Sequence, residues 1–368
     1  MDRSAGTRRP LSRLVIACLL AMLVGSLRGG AEPPSRSLVL LRQLPVPEAR
    51  SVPTDIRWAS DDSVFVSWDR DGVAELGFDG TKRRALVPNL KTLGGIQHYG
   101  QLAVSPRALI VASPNWTVAW RPLKVNPRRE FLFQKKEVPH TNDLDIAGDR
   151  VLLMGIHKRE ETFMPRGEVA WLGTLSARLE DFKPVLRDAG GPGAPSFSKC
   201  RVHSLGAVRF LGDGSFVVAP GSLDGIHLYN VRGQKVRSWT NAQAGLDTHP
   251  DCPKIRDEHK EYISLAGWTR FLNGHHVLDD ILPLPQGPGL LVRSWGTDGQ
   301  ARWTLKVLRP EGIEEYAVPA VGRRSMDRLR GDVRNGRIVL LLSASGASWS
   351  DDRAHYGAQI LLMELPNA

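Results

Sequence analysis

The chain has 368 residues, of which 42% are hydrophobic and 24% charged, with 36 glycines and 25 prolines; this excludes a disordered or collagen-like polymer and suits a globular fold rich in turns. The formal net charge is +10, but lysine and arginine are scattered and form no stripe, so no nucleic-acid interface is expected. Three cysteines are too few for a disulfide-dense scaffold.

At the amino terminus Arg8, Arg9 and Arg13 precede the apolar run Leu14 to Val24, and small residues follow at Gly25, Ser26 and Gly29 to Ala31. This is the pattern of a signal peptide over residues 1–31. The run is too short to span a bilayer, so no permanent membrane anchor is expected. Thr7-Arg8-Arg9 with Leu11 and Arg13 loosely follows the twin-arginine signal, and an ordinary basic leader contains adjacent arginines too, so the export route stays open. Removing residues 1–31 leaves 44 basic and 38 acidic side chains, a net charge of +6. A periplasmic or extracellular protein is expected. In that compartment Cys200 and Cys252 either form one disulfide or stay as two buried thiols. Asn115-Trp116-Thr117 is a glycosylation sequon, which matters only in a eukaryotic secretory pathway.

Residues 32–368 read as one repeating domain. Ser37 to Pro45 is a lone apolar strand with no hairpin partner beside it. A strand then recurs as VFVSW at Val64, ALIVA at Ala108, VLLMG at Val151, SFVVA at Ser215, LLVRS at Leu290 and IVLLL at Ile338. Each copy is preceded by a turn and another strand and followed by a third. The clearest unit is Ala207 to Trp239, with four apolar runs separated by Asp213-Gly214, Asp224-Gly225 and Gly233, a four-stranded antiparallel meander. Such a meander cannot close a core alone and needs neighbouring copies. The sixth copy lacks a fourth strand, and Ser37 to Pro45 supplies it. The expected fold is therefore an all-β, six-bladed β-propeller closed by the N-terminal strand, residues 37–45. A sandwich or solenoid of the same strands is the alternative. Trp58, Trp68, Trp116, Trp120 and Trp171 are expected between blades.

The copies are unequally spaced. The surplus falls at His157 to Gly167, Arg187 to His203 and Thr240 to His276, on one expected face around blades three to five, and long loops carry function. Cys200 and Cys252 lie in the two longest of these loops, where a disulfide would tie one to the other. Aligning the first strands puts His140, His203 and His276 at one equivalent position, and Asn142 and Asp143 follow the first of them. Imidazoles converging from separate loops suit zinc. Asp55, Asn142, Asp143, Asp279 and Asp280 offer the oxygen ligands that calcium prefers.

The segment GDGSFVVAPGSLDGIHLYNVRGQKV, residues 212–236, resembles the repeat of NHL-type six-bladed propellers, which implies fold and not activity. The three histidines are similar to the channel zinc ligands of the peptidyl-hydroxyglycine lyases, although there they come from separated blades. HTNDLDIAGDRVLLMG, residues 140–155, resembles the Asn-Asp segment of the paraoxonase and gluconolactonase propellers, which implies a channel calcium; Leu205-Gly206 stands where those families place an Asn. The expected function is an exported binding or scaffold module whose protein or small-molecule ligand meets the channel mouth. His140, Asn142, Asp143, His203 and His276 are its expected ligand-binding residues. The alternative is a calcium- or zinc-dependent hydrolase or lyase at the same place. No Gly-x-Ser-x-Gly elbow, phosphate loop or Cys-x-x-Cys pair is present to name a reaction.

Overall fold

The computed structural model describes residues 36–46, 51–69, 72–87, 100–113, 116–121, 128–133, 139–157, 168–175, 182–187, 206–220, 225–247, 270, 272–323, 327–343 and 358–366. The chain is an all-β propeller. Two strands come first, β1 (Arg36–Ser37) and β2 (Val39–Pro45). The first meander is β3 (Pro53–Ser60), β4 (Ser63–Trp68), β5 (Gly72–Gly77) and β6 (Lys82–Val87). The second is β7 (Gln101–Val104), β8 (Leu109–Ser113), β9 (Trp116–Arg121) and β10 (Arg128–Phe133). The third is β11 (Pro139–Ala147), β12 (Arg150–His157), β13 (Glu168–Thr174) and β14 (Lys183–Arg187). The fourth is β15 (Gly206–Phe210), β16 (Phe216–Pro220), β17 (Ile226–Tyr229) and β18 (Lys235–Trp239). The fifth is β19 (Val277–Leu284), β20 (Gly287–Trp295), β21 (Ala301–Leu308) and β22 (Ile313–Gly322). Among the described residues the sixth comprises β23 (Arg328–Arg334), β24 (Arg337–Ser343) and β25 (Gln359–Glu364).

Among the described residues each meander forms its own sheet. The turns are those that short hairpins need: Asn335 (φ 52°) and Gly336 (φ 75°) sit between β23 and β24, an Asn-Gly pair in the left-handed region. The cores lie between sheets. Along β24, Ile338, Leu340 and Leu342 pack against the fifth sheet, while Val339 and Leu341 pack against the first. Side chains alternate across a strand, so a strand buried on both faces reads as the unbroken apolar run IVLLL. Trp58, Trp68 and Trp171 lie in these inter-sheet cores; Trp116 and Trp120 are placed by backbone only. The first strands touch in sequence, β3 with β7, β7 with β11, β11 with β15, β15 with β19 and β19 with β23, and β23 touches β3.

The amino-terminal strand does more than the sequence suggests. Instead of one strand over Ser37–Pro45, the chain divides at Leu38. β1 runs parallel to β22, pairing Arg36 with Tyr316 and Ser37 with Ala317. β2 then runs antiparallel to β25, from Val39 opposite Glu364 to Pro45 opposite Gln359. The division has a physical cause. Leu38 is buried in the core shared by the fifth and sixth sheets, and its N–H donates to Ala317 O at 2.9 Å. One short segment thus stitches two sheets.

Residues 1–31, Cys200, Cys252, His203 and most of the three long loops lie outside the described residues. Among the described residues no helix is long and apolar enough to cross a membrane.

Candidate functional site

Three of the first strands carry the same irregularity. β3 slips register between Pro53 and Asp55, β11 between Thr141 and Asp143, and β19 between Leu278 and Asp280. The extra residues are Thr54, Asn142 and Asp279, so the pairs Thr54-Asp55, Asn142-Asp143 and Asp279-Asp280 each mark a β-bulge, a device that re-aims a side chain. The re-aimed carboxylate serves the next sheet. Asp55 Oδ2 accepts from Leu102 N at 2.8 Å, Asp143 Oδ2 from Val208 N at 2.8 Å, and Asp280 Oδ2 from Gly331 N at 2.9 Å. Asp145 Oδ2 adds a second rung to Phe210 N at 2.8 Å. Asp279 Oδ2 accepts from Leu329 N at 3.1 Å and from the Trp303 indole at 2.6 Å. Asp332 Oδ2 accepts from Trp58 N at 3.0 Å, linking the sixth sheet to the first.

Arginines fill the space between these aspartates. Arg57 Nη1 donates to Asp55 Oδ1 at 2.6 Å and also approaches Gly331 O at 3.4 Å. Arg209 spans two sheets, donating from Nε to Ile281 O at 2.9 Å and from Nη2 to Asp280 Oδ1 at 2.6 Å. Arg330, on the sixth sheet, brings Nη1 to 3.8 Å from Asp143 Oδ1 on the third sheet and 3.6 Å from Asp280 Oδ1 on the fifth. The third and sixth sheets stand opposite in chain order, so this side chain reaches across the axis. Asp55, Arg57, Asp143, Arg209, Asp280 and Arg330 are all at most 4% exposed. Gly331 belongs to this lattice as backbone alone: a Cβ there would come within 2.5 Å of Leu340 Cδ2 and 2.8 Å of Val339 O.

Burial and pairing set the carboxyls apart. Burial pushes Asp143 up to about 6, against the pull of Arg330 and Arg209. Burial also raises Asp145, only partly offset by Arg209, and Asp332, only partly offset by Arg57. At Asp280 burial acts the same way, but Arg209, Arg330 and Arg57 outweigh it and hold the carboxyl below its usual range. For Asp143 the linkage has a definite sign. Between about pH 4 and pH 6 the unfolded chain has released this proton while the folded chain keeps it, so stability falls as pH rises through that window. The stability difference between wild type and Asp143→Asn, measured by urea unfolding, is expected to move against wild type from pH 4 to 6 and then level off. A difference that is flat, or that favours wild type as pH rises, would contradict this.

The donor set expected for calcium does not fit a cation as it stands. The Oδ2 atoms of Asp55, Asp143, Asp279 and Asp280 accept backbone N–H groups, and guanidinium groups adjoin three of these carboxylates. Among the described residues no group of three or more His, Cys, Asp and Glu side chains is placed to hold a metal ion. Asn142 and His140 are placed by backbone only, within β11.

His276 stands elsewhere, at the rim between the fourth and fifth sheets. There the end of β16, the start of β17, the turn after β18 and the entry to β19 border a shallow, solvent-facing cleft with room for about one water molecule. Ala219, Ile226, Leu246 and Leu278 give it an apolar floor. Asp247 Oδ2 accepts from His276 N at 2.6 Å and lies 3.4 Å from His276 Nδ1. Both side chains are about half exposed. Gly225 also lines the cleft, donating its N–H to Asn241 Oδ1 at 3.0 Å. It has φ +115°, and a Cβ there would lie 2.7 Å from His227 Cε1. The cleft combines an apolar lining with a histidine and a carboxylate at its lip.

No protein-family model matches this sequence, and no curated protein does either. Solved structures share its architecture. A member of the DUF4221 family from Bacteroides vulgatus superposes with a TM-score of 0.56 at 10% identity, over 90% of this chain and 99% of that one. The WD40 repeats of RRP9 superpose with a TM-score of 0.50 at 11% identity, over 90% of this chain and 99% of that one. At such identities the likeness is one of fold.

Proposed function

We propose that this chain is an exported six-bladed propeller of the NHL type that acts as a binding or scaffold module. Residues 1–31 are its export signal and β2 completes the sixth blade. Cys200 and Cys252 tie together the loops of its ligand face. The ligand, a small molecule or a protein, meets the rim that carries the long loops of blades three to five, with the cleft at His276 and Asp247 as its anchor. Six separate sheets, the contact of β23 with β3 and the pairing of β2 with β25 support the blade count and the closure.

The observation that carries this reading is the burial of the inner aspartates and arginines. The Oδ2 atoms of Asp55, Asp143 and Asp280 are committed to backbone N–H groups of the next sheet, Asp280 Oδ1 is bonded to Arg209, and all these side chains are buried. Chemistry at those atoms would first have to break structural bonds, whereas the cleft offers groups already exposed to solvent. Amide chemical shifts recorded with a library of small amphipathic fragments test this. Perturbations are expected at Ile226, Asp247, His276, Val277 and Leu278, and weaker binding is expected in His276→Ala. Perturbations confined to the inner aspartates and arginines, such as Asp55, Asp143, Arg209 and Arg330, or to the opposite rim would contradict the reading.

A further inference from the structure

The three bulge aspartates make equivalent use of Oδ2 but not of Oδ1. Asp55 Oδ1 takes Arg57 Nη1 at 2.6 Å and Ile56 N at 2.8 Å. Asp280 Oδ1 takes Arg209 Nη2 at 2.6 Å and Ile281 N at 2.8 Å. Asp143 Oδ1 has no hydrogen-bond partner. The cation nearest to it, Arg330 Nη1 at 3.8 Å, has none either, and Arg209 Nη1 stands in the same condition 3.8 Å from Asp145 Oδ1. Arg57 Nε and Nη2 are also unmet. Asp143 is 0% exposed, Arg209 1%, Arg57 2% and Arg330 4%. Native interiors satisfy nearly all such atoms, because leaving one unmet costs about 1–3 kcal/mol and more when it is charged. Gaps of 3.6 to 3.8 Å between charged atoms are too long for a direct hydrogen bond and raise the question of a bridging molecule.

The chemistry of these atoms selects the bridge. Most of the unmet atoms are guanidinium N–H donors, which repel a cation. The carboxylates of Asp55, Asp143, Asp145, Asp280 and Asp332 outnumber the guanidinium groups of Arg57, Arg209 and Arg330 in the same lattice, which disfavours an anion. A small neutral molecule that both accepts and donates meets both conditions. We infer that ordered water, in place of a metal ion, occupies the axis of this propeller, bridging Arg330 Nη1 to Asp143 Oδ1 and capping Arg209 Nη1. Such water is a fixed part of the fold, as in other polar interiors. It is held by side chains from the third, fourth and sixth sheets and completes the one of the three aspartates whose Oδ1 lacks an arginine hydrogen bond.

A crystal structure of the wild-type protein, grown with calcium present and with one crystal soaked in bromide, tests the inference. The expected result is solvent density at about 2.7–3.2 Å from Asp143 Oδ1 and from the unmet arginine nitrogens, with no anomalous signal there. Density ligated by Asp143 and Asp280 at the roughly 2.3–2.6 Å of calcium would overturn it. So would bromide anomalous signal among the three arginines, or Arg330 closed directly onto Asp143 with nothing between.

Discussion

Replacing Arg209 by leucine is expected to destabilise the protein by about 3–5 kcal/mol, the cost of leaving a buried charge without its partner. Arg209 is 1% exposed and donates to both Asp280 and the carbonyl of Ile281. Its loss strips the hydrogen-bonded cation from Asp280, leaving only Arg330 at 3.6 Å, and leaves Asp145 facing one fewer cation. Leucine fills some of the volume but offers no donor. Arg209→Lys keeps the charge but cannot span both acceptors with one ammonium group, so it is expected to fall between wild type and Arg209→Leu. Urea midpoints for the three proteins give the comparison. An Arg209→Leu protein within about 1 kcal/mol of wild type, no more than an ordinary point substitution costs, would mean that the lattice contributes little to holding the sheets together.

Deleting Ser37–Pro45 is expected to produce an aggregating protein. The deletion removes the neighbour of β25 along its whole length and empties the Leu38 site between the fifth and sixth sheets, and an unpaired sheet edge invites intermolecular pairing. Leu38→Ala separates the two effects: it keeps the edge covered and is expected to cost about 2–5 kcal/mol as a cavity while the protein stays monomeric. Light scattering and thermal melting distinguish the cases. A deletion that stays monomeric with unchanged melting would remove the segment from the fold's architecture.

Much of the fold was legible because the meander is a local object. IVLLL, SFVVA and VFVSW are strands buried on both faces, bounded by Asn335-Gly336, Asp213-Gly214 and Asp61-Asp62, and hydrophobic runs between turn residues survive without tertiary context. The division of the N-terminal strand at Leu38 was not legible, since Leu38 looks no different from Leu40 or Leu41 in the sequence; which leucine turns inward depends on Ala317, far along the chain.

The candidate site was half legible. Asp55, Asn142, Asp143, Asp279 and Asp280 stand out in the sequence as oxygen donors, and the structure puts them at three equivalent bulges. Their chemistry depends on Arg57, Arg209 and Arg330, which sequence reasoning counts only among scattered arginines. A signal was present: Arg209 interrupts the apolar strand GAVRF, and Arg57 and Arg330 lie in strands otherwise buried. A charged residue inside such a strand is seldom buried unless it is paired. Asp247, at the cleft, carried no signal, because only its placement beside His276 distinguishes it from any loop aspartate.

The most direct test of the account is the urea stability of wild type and Asp280→Asn, each measured with excess calcium and with a metal chelator. If the inner aspartates bind backbone and arginine, wild type has the same midpoint in both conditions, and Asp280→Asn is less stable by an amount that neither calcium nor chelator alters. If wild type loses stability in chelator and Asp280→Asn does not, the aspartates bind a metal and the lattice described here is not the working state of the site.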